Sequence, residues 1–129
     1  MMEMNEATLE VGSRTFKINF IRLENALVAF LFEDRKRLGT VAVAMPGKGE
    51  VAVGRSSVLV GGKYLMTSRA LAEKLAAKSG RMTLLSLFTE LDEAEALRTY
   101  SKLLDKLDIV KEEENTKPSR LSPSIGQNV

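Results

Sequence analysis

The chain has 129 residues and a net charge of +2, from 19 basic and 17 acidic side chains, and it contains neither histidine nor cysteine. Without imidazole or thiol, His- and Cys-based zinc sites, thiol nucleophiles, disulfides and imidazole acid–base catalysis are excluded. The carboxylate, lysine, tyrosine and hydroxyl chemistry that remains shows no clustering along the sequence.

A chain of this length is expected to form one domain that buries roughly two-thirds of the surface exposed when unfolded. Its charges are interspersed. The densest basic cluster, Arg35-Lys36-Arg37, is short and lacks aromatic interleaving, which argues against a nucleic-acid partner. No apolar run reaches the ~18 to 20 residues of a membrane span, so no membrane partner is expected. The acidic, polar first ten residues do not read as a signal peptide. Together with the absence of cysteine, this fits a cytoplasmic protein.

The first predicted element is a short strand over Ala7–Val11, turned by Gly12-Ser13. Thr15–Leu23 follows as a strand with Phe16, Ile18 and Phe20 on one side. Glu24-Asn25 reads as a hairpin turn into Ala26–Phe32, since Asn tolerates the positive φ of tight hairpins. This third strand is apolar on both faces, with Ala26, Val28, Phe30 and Phe32 opposed to Leu27, Ala29 and Leu31. A two-residue turn pairs Ile21 with Val28 and Asn19 with Phe30. Phe16, Ile18, Phe20, Leu27, Ala29 and Leu31 then share a continuous apolar face, the candidate core. Lys17, Asn19, Ile21, Leu23, Val28, Phe30 and Phe32 share a mixed face, which has the apolar centre and polar edge of a protein interface.

Glu33–Leu38 is a charged loop. Gly39–Met45 is the next strand, in which Thr40, Ala42 and Ala44 form a small-residue face suited to close approach. Pro46-Gly47-Lys48-Gly49 breaks it, and Glu50–Val53 and Ser57–Val60 read as short strands around Gly54-Arg55. A helix is expected to start near Thr67-Ser68, either of which can cap it, and to stop at Gly80. Leu71 and Leu75 form its buried stripe, beside Ala70, Ala72 and Ala76. Met82–Phe88 returns as a strand. Asp92 caps a second helix with Glu95 as its capping-box partner, and the buried stripe is Leu97, Tyr100, Leu104 and Leu107, flanked by Leu103 and Val110. From Glu112 the composition predicts disorder.

Gly61-Gly62-Lys63, ahead of a helix, invites a phosphate-loop reading. The Walker pattern fails at both ends, because Ser57 stands at the first glycine position and Tyr64 follows the lysine. A turn feeding the helix is the better reading, and a small-ligand or nucleotide module is kept as the rival function.

The segments Phe16–Leu23, Ala26–Phe30, Leu38–Met45 and Ser68–Leu87, in this order and spacing, resemble the small proteasome assembly chaperones, the third and fourth of the eukaryotic set and the fourth in particular. The resemblance covers roughly Thr15 to Leu107 and includes no catalytic signature. It implies an α+β fold: an antiparallel sheet of about six strands with two helices on one face, the other face stacking on a second subunit. It further implies a non-enzymatic dimer that needs no cofactor, binds proteasome α-subunits and assists α-ring assembly. The second subunit is another copy or a related paralogue. Larger assembly chaperones carry a C-terminal tail of the form hydrophobic–tyrosine–any residue. This chain has Asn128 at the tyrosine position, so contact with α-subunits is expected from the folded body.

Together these readings place one domain over residues 1–111 and a disordered tail over 112–129. The expected dimer interface is Ile21, Leu23, Val28, Phe30, Ala42 and Ala44. The expected partner-binding residues are Arg35, Lys36, Arg37, Lys48 and Arg55, on loops carried by the sheet. A dimeric β-sheet scaffold of another complex is the second rival.

Overall fold

The computed structural model describes residues 4–47 and 55–107. Strands β1 (Met4–Val11), β2 (Arg14–Arg22), β3 (Ala26–Glu33), β4 (Thr40–Met45) and β5 (Arg55–Val60) precede helix α1 (Leu65–Ser79). Strand β6 (Met82–Phe88) and helix α2 (Glu93–Lys106) follow. The fold is α+β, with six strands in the order β1-β2-β3-β6-β4-β5. The expected strand at Glu50–Val53, the flanking Val110 and the tail over 112–129 lie outside the described residues.

The six-strand sheet with two helices on one face is the expected architecture, and the sheet is mostly antiparallel. The sheet is mixed, because β3 and β6 run parallel while every other neighbouring pair is antiparallel. Hairpins force antiparallel neighbours, but β6 follows α1 and inserts between β3 and β4. Its direction is set by that helical crossover.

The β2–β3 hairpin closes with the two-residue turn Glu24-Asn25. Leu23 N–H donates to Ala26 O at 2.8 Å, and Ile21 faces Val28. The Arg81 guanidinium, at the start of β6, donates to the carbonyls of Leu23 and Glu24 and ties this turn to the sheet.

Phe16, Ile18, Phe20, Leu27, Ala29 and Leu31 form a continuous buried face, joined by Leu85 and Leu87 of β6. Both helices cover this face, α1 over β4, β5 and β6, and α2 over β1 and β2. From α1 come Leu71, Ala72, Leu75 and Ala76; from α2 come Ala96, Tyr100, Leu103 and Leu104. Tyr100 meets Phe16 edge to face at 6.0 Å, and its buried hydroxyl donates to Phe32 O at 2.7 Å. The α2 stripe is thus rotated from the expected one. Leu97 is exposed and Ala96 takes its place in the core.

Helix boundaries follow two different rules. Gly80 ends α1 in the left-handed region, φ 72°, and its N–H returns to Ala76 O at 2.8 Å. Asp92 caps α2 by accepting from Glu95 N–H at 2.8 Å. The start of α1 departs from expectation: Tyr64, at φ 58°, is the N-cap residue and makes no side-chain cap. Thr67 and Ser68 are instead buried in the first turn.

Candidate interaction face

Because both helices lie on one side, the other side of the sheet carries no layer of the described chain. Cross-strand pairing places Ile21, Val28, Leu84 and Val43 in one apolar row across β2, β3, β6 and β4. The adjacent row is Asn19, Phe30, Ser86 and Val41. Leu84 is 39% exposed, Met82 37%, Met45 46% and Leu59 of β5 56%. Four strands of about 4.8 Å spacing and six or seven residues of about 3.3 Å rise make this patch roughly 400 Å² in projection. This face, which includes the polar Asn19 and Ser86, is the size of the largest apolar patch on a typical monomer, about 300 to 600 Å², which is often functional.

The edge of this face is polar. On the β1 side Lys17 reaches Glu6 at 3.9 Å, with Thr8 and Glu10 exposed beside them. On the β5 side stand Arg55 and Ser57, also exposed. The two-faced β3 is accounted for by its position near the middle of the sheet, where one side is core and the other is this bare face.

Of the expected interface residues, Ile21, Leu23, Val28 and Phe30 lie on this face. Ala42 and Ala44 do not. They are 0% and 1% exposed, on the opposite side of β4, in the core under α1. Their small side chains do permit close approach, but of the chain's own helix, whose Ala72 and Ala76 share that core. From β4 it is Val41, Val43 and Met45 that face outward.

The expected partner-binding residues divide between two ends of the molecule. Arg35, Lys36 and Arg37 are exposed on the loop after β3, and the Arg37 guanidinium lies 5.0 Å above the Phe88 ring. Arg55 pairs with Met45 at the far end of β4, five residues along the strand from Thr40, or roughly 17 Å. Arg55 and the Arg35–Arg37 loop therefore stand at opposite ends of β4. Lys48 lies outside the described residues.

The glycine turn before α1 is committed to internal contacts. Thr40 Oγ1 donates to Lys63 O at 2.6 Å. The N–H groups of Met66 and Thr67, which a phosphate would need, donate to Glu93 Oε2 at 3.1 Å each. The groove beside this turn is lined by Lys63 and by the three carboxylates Glu90, Asp92 and Glu93. An acidic wall and occupied N–H donors oppose an anionic ligand.

A second polar constellation was not legible in the sequence. Glu33 is buried at the end of β3 and accepts from Arg14 Nε at 2.5 Å, Thr89 Oγ1 at 2.9 Å and Glu90 N–H at 3.1 Å. Burial pushes its carboxyl up, but these hydrogen bonds outweigh burial and hold it below the ordinary value. The Tyr64 hydroxyl lies 2.9 Å from Thr89 O and 2.5 Å from Leu91 O. Burial, then the nearby carboxylates, push the Tyr64 hydroxyl up and keep it protonated. These contacts pin the 89–92 loop between β6 and α2. The partners stand 19 to 57 positions apart in sequence, so no local spacing announces them.

Fold and face together define an α+β protein with a sheet that its own described helices cover on one side only. Comparison with protein-family models and with curated proteins gives no match for the chain. No helix among the described residues is long and apolar enough to cross a membrane.

Proposed function

We propose that this protein is a non-enzymatic, dimeric assembly chaperone that binds proteasome α-subunits and assists α-ring assembly. The observation that carries the reading is the bare sheet face, apolar in its centre and polar at its edge. A second copy, or a related chain, stacks its own sheet there and buries Val28, Phe30, Val43 and Leu84. The α-subunit then contacts loops at the strand ends, first the Arg35–Arg37 loop. The family resemblance over Thr15–Leu107 supplies the identity of the partner.

Two measurements test this reading separately. Light scattering at micromolar concentration is expected to give about twice the 14.2 kDa chain mass, and a monomer at all concentrations overturns the dimer. Co-purification from the native host is expected to recover proteasome α-subunits, and recovery of an unrelated complex makes the protein a scaffold of that complex instead. Charge reversal of Arg35 and Arg37 is expected to weaken the α-subunit pull-down, whereas Arg55→Glu leaves it unchanged.

A further inference from the structure

The end of the molecule where β3 and β6 finish carries a second apolar surface, apart from the bare sheet face. Leu38 is 71% exposed and Met66 76%, the two highest values among the large hydrophobic side chains of the described residues. They flank a continuous groove. One part, about 650 Å³, is lined by Leu65, Met66, Leu91 and the carboxylates Glu90, Asp92 and Glu93. The other, about 660 Å³, is lined by Leu38, Leu87 and Phe88. The two parts share Gly62, Lys63, Tyr64 and Glu90.

The charge of this groove is uneven. Three carboxylates face one ammonium group on the α2 side, and Glu90 takes part in no salt bridge among the described residues. Across Phe88, a smaller hollow of mixed charge is lined by Arg35 and Arg37 together with Glu33, Asp34 and Glu90. The apolar floor thus ends on an acidic lip at residues 90–93.

We propose that this groove binds a segment of a partner protein that carries large apolar side chains followed by lysine or arginine. The apolar side chains cover Leu38, Leu65 and Met66. The basic side chains meet Glu90 and Asp92. The inference rests on reading the chain as an interaction protein, but not on the sheet face being a dimer interface.

Fluorescence anisotropy tests it with the full chain and two labelled peptides, Gly-Ser-Leu-Leu-Lys-Arg-Ser-Gly and the same peptide with Glu-Glu in place of Lys-Arg. The basic peptide is expected to bind at least about tenfold tighter than its acidic twin, with the difference shrinking in high salt. Met66→Ser and Glu90→Lys are each expected to weaken it about tenfold, while Leu84→Ser on the bare sheet face leaves it unchanged. Met66 and Glu90 are exposed, so both variants keep the fold, which circular dichroism checks. Equal affinity for the two peptides, no binding of either, or loss with Leu84→Ser but not with Met66→Ser overturns the proposal. The chain's own Lys117-Pro118-Ser119-Arg120-Leu121 has similar chemistry. If Lys117→Glu with Arg120→Glu tightens peptide binding tenfold, that segment is the occupant and the partner proposal fails. Light scattering on the same samples reports the dimer independently, so the two readings fail separately.

Discussion

Glu93 and Thr67 hold each other twice. Thr67 N–H donates to Glu93 Oε2 and Thr67 Oγ1 donates to Glu93 O, both at 3.1 Å. The first residue of α2 thereby supplies the carboxylate that the first turn of α1 lacks, since α1 has no acidic residue there and no capping side chain of its own. The negative charge also complements the positive end of the α1 dipole. The same contact explains why Thr67 and Ser68, good capping residues by type, sit inside the helix: the cap comes from another element.

Glu93→Ala is expected to lower stability by about 1 kcal/mol, the typical value of a lost N-terminal cap. In thermal denaturation followed by circular dichroism this is a drop of about 4 °C. Because Glu93 already fills the α1 terminus, ATP is expected to leave the melting point of the unmodified protein unchanged. A reproducible ATP shift lost on Lys63→Ala would restore the nucleotide-binding reading.

Charge on the two sides of the sheet is expected to have different results. Val28→Asp or Phe30→Asp places a carboxylate on the bare face, where it opposes association without removing the core. Light scattering should then report a folded monomer, and an unchanged dimer mass would mean that another surface makes the contact. Ala42→Asp and Leu71→Asp place the carboxylate in the fully buried core and are expected to unfold the domain, seen as loss of the cooperative thermal transition.

Gly39 is required by the approach of β6. A Cβ at this position would stand 2.0 Å from Leu87 O and 2.9 Å from Phe88 Cα, both backbone atoms that cannot move alone. Gly39→Ala is expected to cost about 2 to 3 kcal/mol, as overpacking does. The urea unfolding midpoint measures this, and a change within about 0.5 kcal/mol would show that β4 shifts freely against β6.

Acid is expected to destabilise the protein partly through Glu33. Its carboxyl titrates lower in the folded than in the unfolded chain, so its contribution is complete above the unfolded value of about 4.3. That contribution is lost as the pH falls through the folded value. Glu33→Gln is expected to lower stability at pH 7 and to flatten the fall as the pH drops below about 4.3. Urea unfolding across that fall checks this, and parallel curves for the two proteins would assign the acid sensitivity to other carboxylates.

Local patterns carried much of the fold. Alternation in Phe16-Ile18-Phe20 and Leu27-Ala29-Leu31, the Glu24-Asn25 turn, the Gly80 stop and the Asp92 cap each depend on neighbours a few positions away. The candidate face was only half legible. Ile21 and Val28 follow from hairpin pairing, whereas Ala42 and Ala44 were assigned to the wrong side of β4. Alternation separates two faces of a strand but does not say which one a helix covers.

The sequence by itself determined that β3 is apolar on both sides, so that either face can serve as the core. Side-chain alternation is a property of the strand alone and survives any choice of neighbours. Only the tertiary structure decided which face the chain covers. Crossover α1 inserts β6 beside β3 in parallel, and both helices then settle on the Ala42 side, α1 over the small residues of β4 and α2 over β1 and β2. It also decided that Glu93 caps α1, that Glu33 gathers Arg14 and Thr89, and that Leu38 and Met66 flank one groove. Those relationships join residues tens of positions apart, and distance in space between such residues is set by chain topology rather than by spacing in the sequence.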